Sequence, residues 1–436
     1  MFTLPKNTEM TTDMLKGFLT QHSSYVANRY KPLEDMYMSK HEILAMEAKA
    51  AYKPDNRIVA NFAKYIVDTM DGFFVGIPIR VSSGNDVVDE YVRFLSQYSN
   101  QDDINAELSK ICSIFGHGYE MYYVDDEAEL CVTHLRPTEA FMIFDDSILE
   151  RPMYFVRRYK DQAGGERGSI SSATDIRYFA VVGENGEVEW RKDWEPHYFD
   201  GVPATEYVGN EERQGLFEPV ITVINAYNKA ISEKANDVDY FADAYLKVLG
   251  AELDETDKQR IRDNRIINFE GDGDAGKLIV EFLNKPDCDQ TQENLLDRLE
   301  QLIFQLSLVA NISDSNFGDA TGIALKYKLQ PMSNLARVKE RKFTASMVRR
   351  YKMLFSHPIA RAPLDAWIGL EYRFTQNIPS NLKEESEIAR NVEGIVSRET
   401  QLGIISAVSN VREEVGRLAE ERKALLPPEW DDHGGF

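Results

Sequence analysis

Apolar residues recur at three- and four-residue steps over Ile58, Val59, Phe62, Tyr65, Ile66 and Met70. That is the stripe of an amphipathic helix, and it predicts one over 56–74, stopped by Gly72 and Gly76. Before it, residues 1–50 are mostly polar, with apolar positions at Met10, Met14, Phe18, Ile43 and Met46, and read as helical. After it, "VGIPIRVSS" reads as a strand and Val87–Ser113 as a second helix. "YEMYYVDD" and "AELCVTHL" form two strands around an acidic turn. From Pro137 to Trp194 the pattern is β, and Asn-Gly in "ENGEV" suits a tight hairpin turn.

The texture changes at Glu218. Val223, Tyr227, Ile231, Val238, Phe241, Tyr245 and Leu249 keep helical register, with Pro219 in the first turn and Gly250 at the stop. About thirty residues make a helix roughly 45 Å long. A compact insert follows, with a short charged helix, the strands "IINFEG" and "LIVEFLNK", and the turn "GDGDAG". Gln292–Ile312 is helical again, and Ile323–Phe355 carries a third long pattern interrupted at Pro331. "LEYRFTQNIP" reads as a strand, Leu382–Leu425 as charged helix, and the Pro-Pro ending as a mobile tail. The fold class is α+β, mainly helical. Helices this long cannot bury their apolar stripes on themselves; a neighbouring copy of the chain is the expected partner.

Charge sharpens this picture. There are 72 acidic and 50 basic residues, net −22, which excludes a simple basic DNA clamp. Cys112, Cys131 and Cys288 show no metal or disulfide spacing. The N-terminus lacks a signal pattern, and no run approaches the roughly 20 apolar residues of a membrane span. These features predict a soluble cytoplasmic protein. Locally the balance is uneven. Residues 200–319 hold 25 acidic and 11 basic residues. Residues 323–352 hold Lys326, Lys328, Arg337, Lys339, Arg341, Lys342, Arg349, Arg350 and Lys352 against Glu340 alone. This basic helix either pairs with acidic surface in its own assembly or contacts a nucleic-acid backbone.

Candidate chemistry is thin. "SDSNFGDATGIALKYKL" fails as a phosphate loop: Gly318 and Gly322 are four apart, Ile323 follows where a lysine is needed, and a helix precedes it. "EGDGDAGKLIVEF" places Glu270, Asp272, Asp274 and Glu281 at calcium-loop positions, yet Ala275 stands where the sharp turn needs glycine. It reads as an acidic hairpin turn. No His, Ser or Cys constellation of a known catalytic type is present, and His117 reads as a surface or strand histidine. No cofactor is expected.

Four blocks then carry a resemblance: "KPDNRIVANFAKYIVDTMDGFFVGIPI", "RPTEAFMIFDDSILERPMYFVRRY", "NEERQGLFEPVITVINAYNKAISEKANDVDYFADAYLKVLG" and "GIALKYKLQPMSNLARVKERKF". In order and spacing, from about Lys40 to Leu402, they resemble the portal (head–tail connector) proteins of tailed double-stranded-DNA phages. The long-tailed phages of Gram-positive hosts are the nearest group. The resemblance implies a non-enzymatic ring, normally of twelve subunits, at one capsid vertex. Double-stranded DNA would enter through it in packaging and leave through it at infection. It implies a wing at 1–218 with 356–380, stem helices at 219–249 and 291–312, and a clip at 250–290. It further implies a tunnel loop at 313–322, a long wing helix at 323–355, a short crown at 381–426 and a tail at 427–436.

On this reading Ser313, Asp314, Asn316, Gly318, Asp319, Thr321 and Gly322 line the channel. The clip, through Arg260 and Arg262, meets the terminase large subunit and later the head-completion adaptor. Major capsid and scaffolding proteins are further partners, and no membrane is involved. The protein would sit in the virion, and in the host cytoplasm during assembly. Twelve copies would carry roughly −264 charges, so that the channel repels phosphate and DNA slides. The alternative is a phage DNA-processing enzyme with an unrecognised site.

Overall fold

The computed structural model describes residues 2–50, 53–183, 185–242, 246–249, 279–282, 289–312, 322–377, 382–405, 407–408 and 411–425. The expected channel residues Ser313 to Thr321, the clip residues Arg260 and Arg262, and the acidic turn at Glu270 lie outside them.

The chain opens with a short strand β1 (Phe2–Leu4) and helix α1 (Thr12–Tyr25), whose N-cap Thr11 accepts a hydrogen bond from the Met14 amide. A π-turn (Val26–Tyr30) links α1 to α2 (Lys31–Tyr37). Helix α3 (Phe62–Val75) buries Ala63, Ile66, Val67, Met70, Phe73 and Phe74, the stripe read from the sequence. It starts six residues later than the pattern predicts. Residues 56–60 run extended beside α6 (Ile221–Ala242). The amides of Asn56, Ile58 and Ala60 donate to Asn236 Oδ1 (2.7 Å), Ser232 Oγ (2.9 Å) and Asn228 Oδ1 (2.9 Å). Every second backbone amide thus meets every fourth side chain of a helix. Those polar side chains replace a strand partner, so the segment needs no helix of its own.

The second expected helix is two, α4 (Asp86–Tyr98) and α5 (Gln101–Phe115), broken where Asn100 turns left-handed at φ 51°. Helix α5 ends at Gly116 and leads into β3 (His117–Val124), which pairs with β4 (Leu130–Leu135) and with β11 (Ala204–Val208). A second sheet holds β1, β5 (Ala140–Asp145), β6 (Pro152–Lys160), β7 (Glu166–Ser171), β8 (Asp175–Val182), β9 (Glu187–Trp190) and β10 (Glu195–Pro196). Its hairpins are antiparallel, and β9 follows the Asn-Gly turn as expected. Helix α1 covers one face of this sheet, where Leu15 and Leu19 pack with Phe141, Val156, Ile170 and Phe179.

Helices α6 and α7 (Asp289–Ser307) run antiparallel, tied by Lys234–Glu293 and by Gln292 Nε2 donating to Asp237 Oδ2 at 3.0 Å. Phe62 of α3 wedges against both, with ring centroids 5.0 Å from Tyr227 and 5.8 Å from Phe304. The helix expected to reach Leu249 does not extend that far. Leu246–Leu249 (β12) instead pairs antiparallel with Ile279–Phe282 (β13), taking a partner across the insert that periodicity alone could not reveal. Helix α7 ends at Ser307, short of the predicted Ile312, because Leu308 adopts φ 60°.

Helix α8 (Gly322–Ser356) runs unbroken for 35 residues through Pro331, where an interruption was expected. Pro331 and Tyr327 are exposed, so the carbonyl freed by the missing N–H can be hydrated. Residues 371–373 (β14) pair with 80–82 (β2). Charged helices α9 (Leu382–Asn391), α10 (Arg398–Gly403) and α11 (Val411–Leu425) follow. Among the described residues no helix is long and apolar enough to cross a membrane.

His22 supplies a test of this packing. It is buried between the Phe2 and Phe141 rings. Its Nε2 lies 2.7 Å from the Pro137 carbonyl, and Arg158 Nη1 lies 3.0 Å from its Nδ1. Burial first, then the Arg158 cation, lowers its pKa to about 4, with the Pro137 carbonyl opposing. The neutral ring is therefore the folded form. Its contribution is complete above pH 6.5 and is lost as pH falls from 6.5 to 4, by about 3 kcal/mol. The urea midpoint should drop through that window, and His22→Gln should flatten the drop. Glu206, held down to about 2, loses its contribution only lower, between 4.5 and 2.

Candidate functional site

Helix α8 is the element whose charge pointed to function, and its inward face is apolar. Leu329, Met332, Ala336, Phe343, Met347, Tyr351 and Leu354 are buried in the largest core, against α3, α5 and β11. Position 339 falls on the same face, and so does 350. Both are cations, and both are buried.

Lys339 keeps 3% of its surface. Its Nζ donates to Asp71 Oδ1 (3.0 Å), the Ser109 carbonyl (3.0 Å) and Ser113 Oγ (2.7 Å), which uses all three ammonium protons. Asp71 sits on α3 and the serines on α5, so one ammonium ties three helices together. The hydroxyls of Ser109 and Ser113 also reach Asp71 Oδ1, at 2.7 and 2.8 Å.

Arg350 is wholly buried, and so is Glu120 on β3. Arg350 Nη2 lies 2.7 Å from Glu120 Oε1, and Nε donates to Oε2 at 2.9 Å. Nη2 also donates to Asn105 Oδ1 (2.6 Å) and Nη1 to Gln101 Oε1 (3.4 Å). The Tyr122 and Tyr207 hydroxyls lie 3.0 and 3.1 Å from Glu120 Oε2. Burial works against the guanidinium charge, yet Glu120, Tyr207 and Tyr351 together outweigh it and raise the pKa well above the usual arginine value. Next to it His117 is no surface histidine. It is buried, Nδ1 2.8 Å from Glu206 Oε1 and Nε2 2.9 Å from the Tyr30 hydroxyl. Arg213 closes this chain with Nε donating to Glu206 Oε1 at 2.8 Å.

The basic stripe therefore divides. Lys339 and Arg350 are corrections to the surface reading: they are locked inside the chain and cannot reach an external phosphate. Arg349 is half-buried over the Val202 and Ala204 carbonyls (3.3 and 3.4 Å), and burial lowers its pKa. Lys342 pairs with Glu211, and Lys352 stacks over the Trp367 ring at 5.6 Å. Lys326, Lys328, Arg337 and Arg341 stay exposed. By helical geometry Lys326, Arg337 and Arg341 share one face, spread over roughly 22 Å, while Lys328 points elsewhere. Gly322, assigned to the loop, is the first residue of the helix.

Sequence reasoning missed the buried carboxylates Asp71 and Glu120. A faint signal existed for each: Asp71 is the acid that falls next to the buried Met70 and Phe74 positions of the run "VDTMDGFF", and Glu120 is the one acid in the aromatic strand "HGYEMYYV". An ionised group there demands an internal cation.

Comparison with known proteins closes the question of kinship. The family described as "Phage portal protein, SPP1 Gp6-like" matches residues 16–426. The portal protein of Bacillus phage SPP1 is 24% identical over 412 residues, covering 88% of this chain and 80% of that protein. The portal protein of Clostridium phage phiCD119 is 22% identical over 409 residues, covering 88% of each. With a match over nearly its whole length, this chain belongs to the phage portal protein family.

Proposed function

We propose that the chain assembles head to tail into a closed ring, normally of twelve copies, at one capsid vertex. The ring is the passage for double-stranded DNA in packaging and ejection, with no catalytic step of its own. The family match over residues 16–426 carries this reading. The apolar residues left on the outside of the helix pair support it: Val238, Leu295 and Leu306 are each about half exposed in the single chain. A surface of that kind on two long helices wants a neighbouring helix pair.

Within the ring, residues 219–249 and 291–312 are the stem and 1–218 with 356–380 the wing. The insert at 250–290 is the clip, where Arg260 and Arg262 meet the packaging terminase and then the head-completion adaptor. Residues 313–321 are the tunnel loop, and 381–426 the crown. The exposed cations Lys326, Arg337 and Arg341 face DNA or an acidic neighbour, which narrows the stripe to residues that can be reached.

Mass in solution tests the ring. The expected species is a closed oligomer near roughly 600 kDa, twelve times the 49.9 kDa chain, with a central hole when viewed down its axis. A chain that stays monomeric or dimeric at every concentration overturns the reading.

A further inference from the structure

We propose that the turn between β5 and β6 is a docking knob that seats in a cleft at the opposite end of the same hairpin on a neighbouring copy of this chain. The inference rests on the ring reading above and names one contact within it.

The knob is built, not loose. Asp145, itself buried, accepts with Oδ1 from the Ser147 amide (3.2 Å), the Ser147 hydroxyl (2.7 Å) and the Arg151 amide (2.9 Å). The Glu150 amide donates to the Ser147 carbonyl (3.0 Å), and the Asp146 amide to the Leu4 carbonyl (3.1 Å). This frame holds two aliphatic side chains straight out into solvent: Ile148 is 99% exposed and Leu149 64%. A fixed turn presenting adjacent aliphatic groups to water has an unfavourable surface and little backbone entropy to lose on docking.

The cleft encloses 590 Å³ where α1 meets the π-turn and the far end of the hairpin. Val26, Ala27, Leu135 and Tyr159 give it apolar walls. Its rim holds Lys31, Arg157, Arg158 and Lys160 against Glu139 and Glu166. Arg158 is paired with Glu166, and Lys31 with Glu34 and Asp35. Arg157 lies over the Tyr159 ring, and neither it nor Lys160 has a carboxylate partner among the described residues. The knob offers the matching sign: Asp146 and Glu150 flank Ile148 and Leu149, with Lys6 and Arg151 at its base. An apolar tip flanked by two carboxylates meets an apolar cleft in which Arg157 and Lys160 lack a carboxylate partner among the described residues.

Placement decides the partner. The turn joins the end of β5 to the start of β6, and the cleft lies by the start of β5 and the end of β6. Nine residues of strand separate them by roughly 30 Å, so the knob cannot fill its own cleft. Two complementary patches at opposite ends of one rigid body form a heterologous contact, which repeats from copy to copy and closes as a ring when the rotation allows.

The test places cysteines at Ile148→Cys and Ala27→Cys in one full-length chain, with each single variant as a control for the native thiols. After assembly, a short bis-maleimide is expected to give a ladder of covalent oligomers from the double variant and none from the singles. In parallel, Ile148→Asp with Leu149→Asp should raise the concentration needed for assembly by roughly tenfold or more, with an unchanged helical circular dichroism spectrum. Val87→Asp, an equally exposed aliphatic site on α4, should leave assembly unchanged. Rings that form normally in the Ile148→Asp/Leu149→Asp variant, or a double-cysteine variant that makes rings but no ladder, overturn the knob while leaving the ring intact. A parent chain that never assembles overturns both.

Discussion

Arg350→Met is expected to destabilise the chain by about 3–5 kcal/mol, the cost of leaving one member of a buried ion pair alone. The methionine fills much of the arginine's volume, so the loss is electrostatic and not a cavity effect. Without the guanidinium, Glu120 keeps only the hydroxyls of Tyr122 and Tyr207 in a site with no access to water. The carboxylate must then take up a proton or pull the α5–β3–α8 junction apart. Adding Glu120→Gln removes the stranded charge, and the double variant should recover most of the loss. Guanidinium unfolding followed by tryptophan fluorescence measures both. A single variant within 1 kcal/mol of the parent would mean that water reaches this site and that the pair does not organise the core.

Gly116→Ala should cost about 4 kcal/mol or more, from two sources that add. Gly116 has φ +86°, a left-handed backbone that costs an L residue about 1–2 kcal/mol. An added Cβ would also lie 2.0 Å from the Arg213 carbonyl oxygen and 2.1 Å from its carbon. Both are backbone atoms, and Arg213 is itself held at φ 53° by the turn that brings Glu206 and Arg213 together. Neither side can yield without lifting residues 209–216 off the α5–β3 junction, where the Gly209 amide donates to the Gly116 carbonyl (2.9 Å) and the Leu216 amide to the Ser113 carbonyl (2.8 Å). The melting temperature should fall by roughly 4–5 °C. Gly164 separates the two sources. Its φ is +80°, yet nothing lies within 4 Å of an added Cβ. Gly164→Ala should therefore cost only about 1–2 kcal/mol. Equal losses at the two positions would show that the close approach at Gly116 is unimportant.

The two sites differ in how far the chain announces them. Gly116 follows "CSIF" and precedes the strand "HGYEMYY", so a helix-ending glycine there is readable from the sequence. That Arg213, about a hundred residues on, packs against it is not. The same contrast runs through α3. Its stripe from Ile66 to Phe74 is written in the local period, but residues 56–60 fit that period equally well and are extended. Asn228, Ser232 and Asn236 won there by offering hydrogen bonds from another helix. Leu246–Leu249 likewise leaves helical register because Ile279–Phe282 is within reach.

By itself, the sequence determined the fold class, most helices and hairpins, the acidic balance and the portal kinship. All of these are properties of local period, composition or residue order, which each stretch carries with it. The tertiary structure alone decided which of the α8 cations are available. Nine basic residues against one acid read as a stripe paired with acidic surface of its own assembly or set against a nucleic-acid backbone, because charge counted along a chain names no partner. Lys339 and Arg350 find Asp71 and Glu120, each more than two hundred residues away, and desolvation makes those pairings obligatory. Lys326, Arg337 and Arg341 remain at the surface because the inward face of the same helix is occupied by Leu329, Met332 and Ala336, and only one face of a helix can point into a core.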